Sequence, residues 1–162
     1  MESTELAGTP EVQLLNYESK HQADFKRLNT EWIEQYFHLE PADLCVLDNP
    51  EEYVLQRGGH IFLASYGGQI VGTCALYKID DTSFELGKMA VTAALQGRGI
   101  GRKLAEAAIA KARALGAMRL YLESNTKLAP ALHLYRELGF RPTISGSPSP
   151  YERSDIQLEL FL

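Results

Sequence analysis

Three alternating glycines with a cation among them are the residues of this chain best suited to binding an anion. They form the run Gln96-Gly97-Arg98-Gly99-Ile100-Gly101, between a predicted strand and a predicted helix. Glycine lets the backbone turn so that several N–H groups point into one concavity. The first turn of a helix adds unpaired N–H donors and the positive end of the helix dipole. The run therefore favours a phosphate site, although alternating glycines also form ordinary tight turns.

The elements on either side of this loop support the phosphate-site interpretation. Upstream, residues 84–91 predict a strand. Downstream, residues 100–115 are rich in Ala, Lys, Arg and Glu and predict a helix that stops at Gly116. A helix in this position would place Arg98 and Arg102 beside the N–H groups of the glycine loop.

The predicted strand before the loop has a slip in its alternation. Phe84 and Leu86 would point to one face of a regular strand, but the next apolar residues, Met89 and Val91, would point to the opposite face. One extra residue near positions 87–88 would explain the slip and predicts a β-bulge, which opens room for a ligand to hydrogen-bond along the strand. The alternative is a strand without a bulge that is buried on both faces.

The rest of the chain predicts helices first and a mainly antiparallel sheet afterwards. Gly67-Gly68 suits a two-residue hairpin turn, and the step from the strand at 84–91 through a helix to the next strand should be parallel. The other predicted elements are strands at 12–15, 60–65, 69–77, 118–122, from 140, and at 156–161, with helices at 20–37, 41–56 (divided near Pro50) and 128–138. The length of 162 residues fits one domain over 11–162 after a flexible N-terminus at 1–10.

Composition excludes several classes of function. A formal net charge of −5 argues against a general nucleic-acid or anionic-membrane partner, since such proteins need a basic face. Two cysteines without Cys-x-x-Cys spacing favour a reducing compartment, and neither a signal peptide nor a membrane-spanning stretch is present, so a cytoplasmic location is expected. The four histidines have no i, i+4 pairing and no cysteine partners, so no metal site is predicted.

The order of these parts resembles the GNAT superfamily of acyl-CoA-dependent N-acyltransferases over roughly residues 60–161. The glycine run is similar to the family's Q/R-x-x-G-x-G/A pyrophosphate loop, and residues 85–91 are similar to its bulged fourth strand. Asn125 follows the predicted fifth strand, and Leu134-Tyr135-Arg136-Glu137-Leu138-Gly139-Phe140 resembles the family's LYxxxGF end. The glycine loop alone is weak evidence for this family, but the four motifs together, in this order and spacing, are specific to it.

The resemblance implies an α/β (α+β) fold with a central mixed, mostly antiparallel sheet of six to seven strands and about four helices. Residues 60–161 would form the acetyl-CoA-binding core, and the helices of residues 11–59 would shape the acceptor side. The cofactor is implied to be acetyl-CoA, acting as acyl donor without a metal. The residues that would bind it are Met89, Ala90, Val91, Gln96, Gly97, Arg98, Gly99, Ile100, Gly101, Arg102, Asn125 and Tyr135.

The implied reaction is direct attack of a small-molecule primary amine on the thioester in a ternary complex. Glu85 is the first candidate for the base, acting directly or through water; the alternative is an exposed strand carboxylate. Tyr135 matches the family position that commonly protonates the departing thiolate, the alternative being a packed helix tyrosine. Asn125 would orient cofactor or water, or else cap the helix that follows it.

Competing interpretations differ in class. The chain does not match a P-loop, because the Gly-Lys-Ser/Thr end of that motif is missing. It does not match a Rossmann loop either, because the third glycine of that motif would fall at Arg102. A non-catalytic acyl-CoA-binding sensor would keep the glycine loop but needs no Tyr135, and a protein N-terminal or lysine acetyltransferase would need a peptide groove. The resemblance is also compatible with a homodimer that pairs residues 151–162 between subunits, although nothing in the sequence requires one.

Overall fold

The structure is a computed structural model that describes residues 11–144 and 148–162. The flexible N-terminus predicted for residues 1–10 lies outside the described residues. The strands are β1 (Gln13–Asn16), β2 (His60–Tyr66), β3 (Gln69–Lys78), β4 (Ser83–Val91), β5 (Arg119–Ser124), β6 (Arg141–Pro142) and β7 (Ile156–Phe161). The α-helices are α1 (Gln22–Tyr36), α2 (Pro41–Asp48), α3 (Ile100–Ala114) and α4 (Ala129–Glu137). Short 3₁₀ turns occur at Ser19–His21 and Ala93–Leu95, and a π-helical turn occurs at Glu51–Leu55.

All seven strands form one sheet in the order β1-β2-β3-β4-β5-β7-β6. Every neighbouring pair is antiparallel except β4 and β5, which are parallel and are connected through α3. The predicted fold class is therefore confirmed, including its single parallel step. No helix in the described part of the chain is both long and apolar enough to cross a membrane.

Helices cover both faces of the sheet because the strands alternate their apolar residues. On β3, Cys74 and Leu76 belong to the larger apolar cluster, which also contains the buried residues of α3 and α4. Ala75, between them, belongs to a smaller cluster with Phe25 of α1 and Leu47 of α2. The helices near the N-terminus therefore pack on one face and those near the C-terminus on the other.

The predicted bulge in β4 is confirmed by its register with β3. Thr73 is opposite Ala90, but Ala75 is opposite Gly87, so the single residue Cys74 faces two residues of β4. Because of this extra residue, Met89 and Val91 point to the same face of the sheet as Phe84 and Leu86, and all four pack in the larger apolar cluster. Lys88 lies in the bulge with φ of 49° and is the one non-glycine residue with positive φ in the described chain.

Strands β4 and β5 pair for a short distance and then separate. Residues Ser83–Glu85 pair with Arg119–Tyr121, and no pairing joins the two strands beyond that point within the described residues. The remainder of β4, including its bulge, therefore has one edge without a neighbouring strand. This separation opens a cleft in the middle of the sheet, at the end where the glycine loop begins.

Candidate active site

A cleft of about 860 Å³ occupies the gap between β4 and β5. It continues from the glycine loop and the start of α3 to the end of α1 and the segment after β6. Every predicted site residue except Arg98 lines it: Glu85, Met89, Ala90, Val91, Gln96, Gly97, Gly99, Ile100, Gly101, Arg102, Asn125 and Tyr135. The residue roles remain predictions, but the structure brings this set together around one cavity.

The glycine loop presents a row of unpaired backbone donors. Gly97 and Gly99 have φ of 81° and 79°, a conformation that glycine adopts without strain. Gly99 immediately precedes α3, and its carbonyl accepts the first hydrogen bond of the helix, from Lys103 N at 3.1 Å. The N–H groups of residues 97–102 donate to no group within the described residues. The loop is thus a concave donor array at the positive end of a 15-residue helix.

The polar side chains of the loop have different positions. The Gln96 side-chain amide donates to the Val91 carbonyl at 3.2 Å and so ties the loop to the end of β4. Arg102 lines the cleft and pairs with Glu137 of α4 at 2.6 Å. The Arg98 guanidinium lies 3.5 Å from the Tyr66 hydroxyl, at the end of β2, and is outside the cleft lining. Arg98 is therefore the one predicted residue that the fold does not direct into the cleft.

Glu85 lies where β4 and β5 separate, and its environment brings the pKa of its carboxyl group close to neutral pH. Burial raises the pKa of Glu85, the neighbouring Glu123 raises it further, Lys88 opposes both, and the result is about 7. No ion pair or hydrogen bond holds its carboxylate within the described residues. Tyr77 of β3, which lines the cleft, and Tyr121 of β5, the register partner of Glu85, also have raised pKa values, chiefly from burial and in part from the charge of Glu85.

Tyr135 projects from α4 into the apolar cluster and the cleft wall. Its side chain packs edge-to-face on Phe140, with ring centroids 5.8 Å apart, and is only 7% exposed. Burial is the main cause of a raised pKa of Tyr135, so the hydroxyl stays protonated at neutral pH. No hydrogen bond engages this hydroxyl among the described residues, and it remains available as a donor to a ligand in the cleft.

Asn125 has a different structural role from the helix cap considered as an alternative. Helix α4 begins at Ala129, and the residue before it, Leu128, is the N-cap. Asn125 Oδ1 instead accepts from Lys127 N at 2.8 Å, and its Nδ2 donates to the Arg153 carbonyl at 2.6 Å. Asn125 therefore ties the end of β5 to the segment before β7 while it lines the cleft.

A buried ionic network between α2, the bulge of β4 and the segment before β7 was not predicted from the sequence. Asp43 of α2 is fully buried and accepts from Arg153 at 2.6 and 2.7 Å and from Lys88 at 2.9 Å. Glu40 accepts from Arg153 at 3.2 Å, and the Tyr151 hydroxyl lies 3.0 Å from Lys88 Nζ. Burial would raise the pKa of Asp43, but the hydrogen bonds and charges of Arg153 and Lys88 outweigh it and lower the value to about 2.

Sequence reasoning also missed Glu123, a carboxylate of the cleft lining that lies near Glu85. Tyr121 is the last residue of β5 that pairs with β4, and its partner there is Glu85. Glu123 lies two positions further along β5 and therefore on the same face of the sheet as Tyr121. It accepts hydrogen bonds from the Tyr121 hydroxyl at 3.1 Å and the Ser149 hydroxyl at 3.0 Å. The only available signal was its position in the alternation of β5, which cannot reveal a neighbour on β4.

Comparison with known proteins identifies the family. The family model described as "Acetyltransferase (GNAT) family" matches residues 24–140. This chain belongs to the GNAT acetyltransferase family. Among curated relatives, the uncharacterized N-acetyltransferase YjgM of Escherichia coli (strain K12) is 34% identical over 97 residues, which cover 58% of each chain. The match thus spans less than two thirds of that relative's length.

Solved structures share this GNAT fold across most of the chain. A GNAT-family acetyltransferase from Staphylococcus aureus Mu50 has a TM-score of 0.84 at 22% identity, covering 92% of this chain and 98% of the other. A GNAT acetyltransferase from Elizabethkingia anophelis, solved with acetyl-CoA bound, has a TM-score of 0.63 at 22% identity and covers 93% and 98% of the two chains. At these identities the likeness concerns the fold.

Proposed function

We propose that this protein is an N-acetyltransferase that moves the acetyl group of acetyl-CoA to a primary amine by direct attack in a ternary complex. The observation that carries the proposal is the joining of three features in one cleft. These are the free N–H array of the glycine loop, the unpaired edge of the bulged β4, and Glu85 with a pKa raised to about 7. The structure solved with acetyl-CoA bound in a protein of this fold supports the choice of donor.

The donor would lie along the glycine loop and β4. The N–H groups of residues 97–102 suit the pyrophosphate, with Arg102 nearby, and the free edge of residues 89–91 suits the amide groups of the pantetheine arm. The thioester would then lie over the bulge. A backbone N–H at the bulge would stabilise the oxyanion, because such donors are already oriented before the reaction. Gln96 would keep the loop closed against Val91.

The proton transfers follow from the two predicted catalytic residues. Glu85 removes a proton from the ammonium group, and the free amine attacks the thioester carbon to form the C–N bond. Collapse of the tetrahedral intermediate breaks the C–S bond. Tyr135 protonates the departing sulfur, and the second proton of the amine nitrogen restores the Tyr135 hydroxyl. The balance is one amide, one free thiol and one proton released.

The test measures donor binding and transfer separately. Acetyl-CoA affinity is determined by calorimetry, and thiol release is followed with polyamines, aminoglycosides, amino acids and peptides as acceptors. We expect amine-dependent thiol release that falls about tenfold or more in Tyr135→Phe, because a general acid contributes about 10²–10⁴-fold. Tyr53→Phe is the matched control, since Tyr53 does not line the cleft.

One outcome would replace the enzyme by a sensor module. If acetyl-CoA bound tightly, no amine or peptide supported thiol release, and Tyr135→Phe left binding unchanged, the chain would be a non-catalytic acyl-CoA-binding protein. Transfer to peptides with none to small amines would instead favour a protein acetyltransferase.

A further inference from the structure

The charges that line the cleft are not balanced. The cationic side chains of the described lining are all in ion pairs with carboxylates of the protein. These cations are Lys78 with Asp81, Lys88 with Asp43, Arg102 with Glu106 and Glu137, and Arg153 with Asp43 and Glu40. Arg102, near the glycine loop, pairs through side chains that are 40–55% exposed and can still approach a pyrophosphate, whereas Lys88 and Arg153 are buried with their partners and are not free to neutralise a carboxylate on the acceptor.

Two carboxylates of the lining have no cationic partner within the described residues. They are Glu85 and Glu123, on neighbouring strands at the point where β4 and β5 separate. Glu123 accepts only from the neutral hydroxyls of Tyr121 and Ser149, and Glu85 is held by no hydrogen bond. Two unneutralised carboxylates in a partly buried cleft attract a cation and repel an anion.

The buried network explains why the nearby cations do not cancel this charge. Lys88 and Arg153 both lie at this end of the cleft, but Asp43 and Glu40 hold them at hydrogen-bonding distances. Lys88 and Arg153 carry two positive charges, and Asp43 and Glu40 carry two negative charges, so the four groups are neutral together. Among the described lining side chains, the charged groups without an opposite partner are therefore the carboxylates of Glu85 and Glu123, while Lys127 lies over the Phe37 ring at the edge of the same cleft.

Three aromatic side chains, called the aromatic wall, line the same cleft as the Glu85–Glu123 pair. Trp32, Tyr36 and Phe37, at the end of α1 and just after it, line the same cleft, and Tyr36 is 48% exposed. The Trp32 ring N–H donates to Asn29 at 3.3 Å. Arg153 lies over the Trp32 ring and Lys127 over the Phe37 ring, at 5.9 and 5.6 Å from the ring centroids, so among the described residues only Tyr36 offers a ring face that no cation covers. Ring surface beside an acidic pair suits an organic cation with an apolar or aromatic body.

We infer that the acceptor is a cationic amine with no carboxylate beside its reacting nitrogen, and that Glu123 determines this specificity by receiving the ammonium group together with Glu85. Glu123 is a specificity residue and Glu85 remains the base. The inference rests on the proposed transferase function and adds the charge class of the acceptor. Free amino acids are excluded by repulsion between their carboxylate and the Glu85–Glu123 pair.

The experiment compares acceptors that differ only in a carboxylate. Tyramine is tested against tyrosine, and tryptamine against tryptophan, in the thiol-release assay with wild type, Glu123→Gln, Glu123→Asp and Glu152→Gln. Glu152 is an exposed carboxylate outside the cleft lining, so its substitution controls for net charge. Acetyl-CoA affinity is measured for every variant to verify that the donor site is intact.

We expect wild type to prefer each amine over its amino acid by at least about tenfold in kcat/KM. Glu123→Gln should raise KM for the amines about tenfold, which is the effect of losing one charge-assisted hydrogen bond. The ratio of kcat/KM between each amine and its amino acid should fall accordingly. Glu123→Asp should restore part of the preference, because it keeps the charge, and Glu152→Gln should change neither quantity. A purely structural role of Glu123 would not alter the ratio between matched acceptors.

Equal use of amino acids and amines, or an unchanged preference in Glu123→Gln, would overturn the inference while leaving the transferase function intact. Absence of transfer to any acceptor despite acetyl-CoA binding would overturn the transferase function itself, and the inference with it.

Discussion

The two ends of the cleft are built in different ways. The end proposed to bind the acyl donor (the donor end) consists of consecutive residues, 96–102, with free backbone N–H groups and positive φ at Gly97 and Gly99. The end proposed to bind the amine (the acceptor end) consists of side chains far apart in sequence: Lys88 and Arg153 meet Asp43 across separations of 45 and 110 residues. A site made of local backbone can be recognised from a short motif, whereas a site made of distant side chains cannot.

The two ends also depend on different energies. The donor end uses positive φ at glycine and leaves polar groups unpaired until a ligand arrives. The acceptor end buries charges, which is favourable only while every partner is present. Substitutions at the donor end should therefore affect ligand binding first, and substitutions in the ionic network should affect folding first.

Glu85 lies between the two ends, and the largest loss of activity is expected there. Glu85→Gln should lower kcat about 10²–10⁴-fold, because the amine loses its general base. In wild type, activity should rise with pH through about 7 and then level off, since Glu85 must be deprotonated and its pKa is about 7. Rates measured from pH 5 to 9 test both points, and a wild-type rate that is independent of pH would contradict the assignment.

Stability should respond to Glu85 in the opposite direction. The pKa of Glu85 is raised from 4.5 to about 7 by folding, so the folded protein binds the proton more tightly and its stability falls as pH rises through that interval. Glu85→Gln should therefore raise the melting temperature relative to wild type at pH 8, where the carboxylate is charged, and show little gain at pH 4. A variant that is inactive and less stable at pH 8 would contradict this account.

Asp43→Asn tests the claim that the acceptor end depends on buried charge. The substitution leaves Lys88 and Arg153 short of a partner and should cost about 3–5 kcal/mol of the free energy of unfolding. Because the pKa of Asp43 is lowered to about 2, its contribution is present above its ordinary value of 3.8 and is lost as pH falls toward 2. Urea denaturation at several pH values measures this contribution.

The exposed ion pair of Lys26 and Asp48 supplies the control for the buried network. Both side chains are more than 40% exposed, so Asp48→Asn should cost less than about 1 kcal/mol. Similar losses in Asp43→Asn and Asp48→Asn would mean that the network does not hold the acceptor end together.

Gly99→Ala tests the donor end, and helix α3 offers a matched control at its other terminus. Gly99 and Gly116 have φ of 79° and 86°, and a side-chain carbon added at either would contact no atom within 4 Å. Both alanine variants should therefore lose about 1–2 kcal/mol of stability to backbone strain. Only Gly99→Ala should also weaken acetyl-CoA binding, measured by calorimetry, because only Gly99 lines the cleft. Equal affinity in the two variants would disprove the placement of the pyrophosphate.

The smallest effect is expected at Arg98. Its guanidinium lies near the Tyr66 hydroxyl rather than in the cleft lining, so Arg98→Ala should weaken acetyl-CoA binding by less than about 1 kcal/mol. Arg102→Ala should weaken it more, and in a salt-dependent manner, because Arg102 lines the cleft. A larger effect at Arg98 would indicate that this side chain turns toward the bound donor.

The elements that could be predicted are those with a local cause. The helix from Ile100 followed from its composition, and the bulge followed from the phase slip between Leu86 and Met89, which the structure explains by returning Met89 to the larger apolar cluster. The direction of Arg98 was not predictable, because a flexible side chain follows its neighbours and Tyr66 comes from another strand. Glu123 was missed because its proximity to Glu85 depends on the pairing of β4 with β5.

The sequence by itself indicated the order of elements, the glycine loop and the resemblance that the family match confirms, and it offered the bulge as one of two interpretations of β4, of which the register supports the bulge. These depend on interactions between residues a few positions apart, which leave a periodic or positional mark in the chain. Only the tertiary structure decided which cations are neutralised, where β4 and β5 separate, and that Glu85 is left beside Glu123. Charge balance and burial depend on distances between segments that the linear sequence does not encode locally.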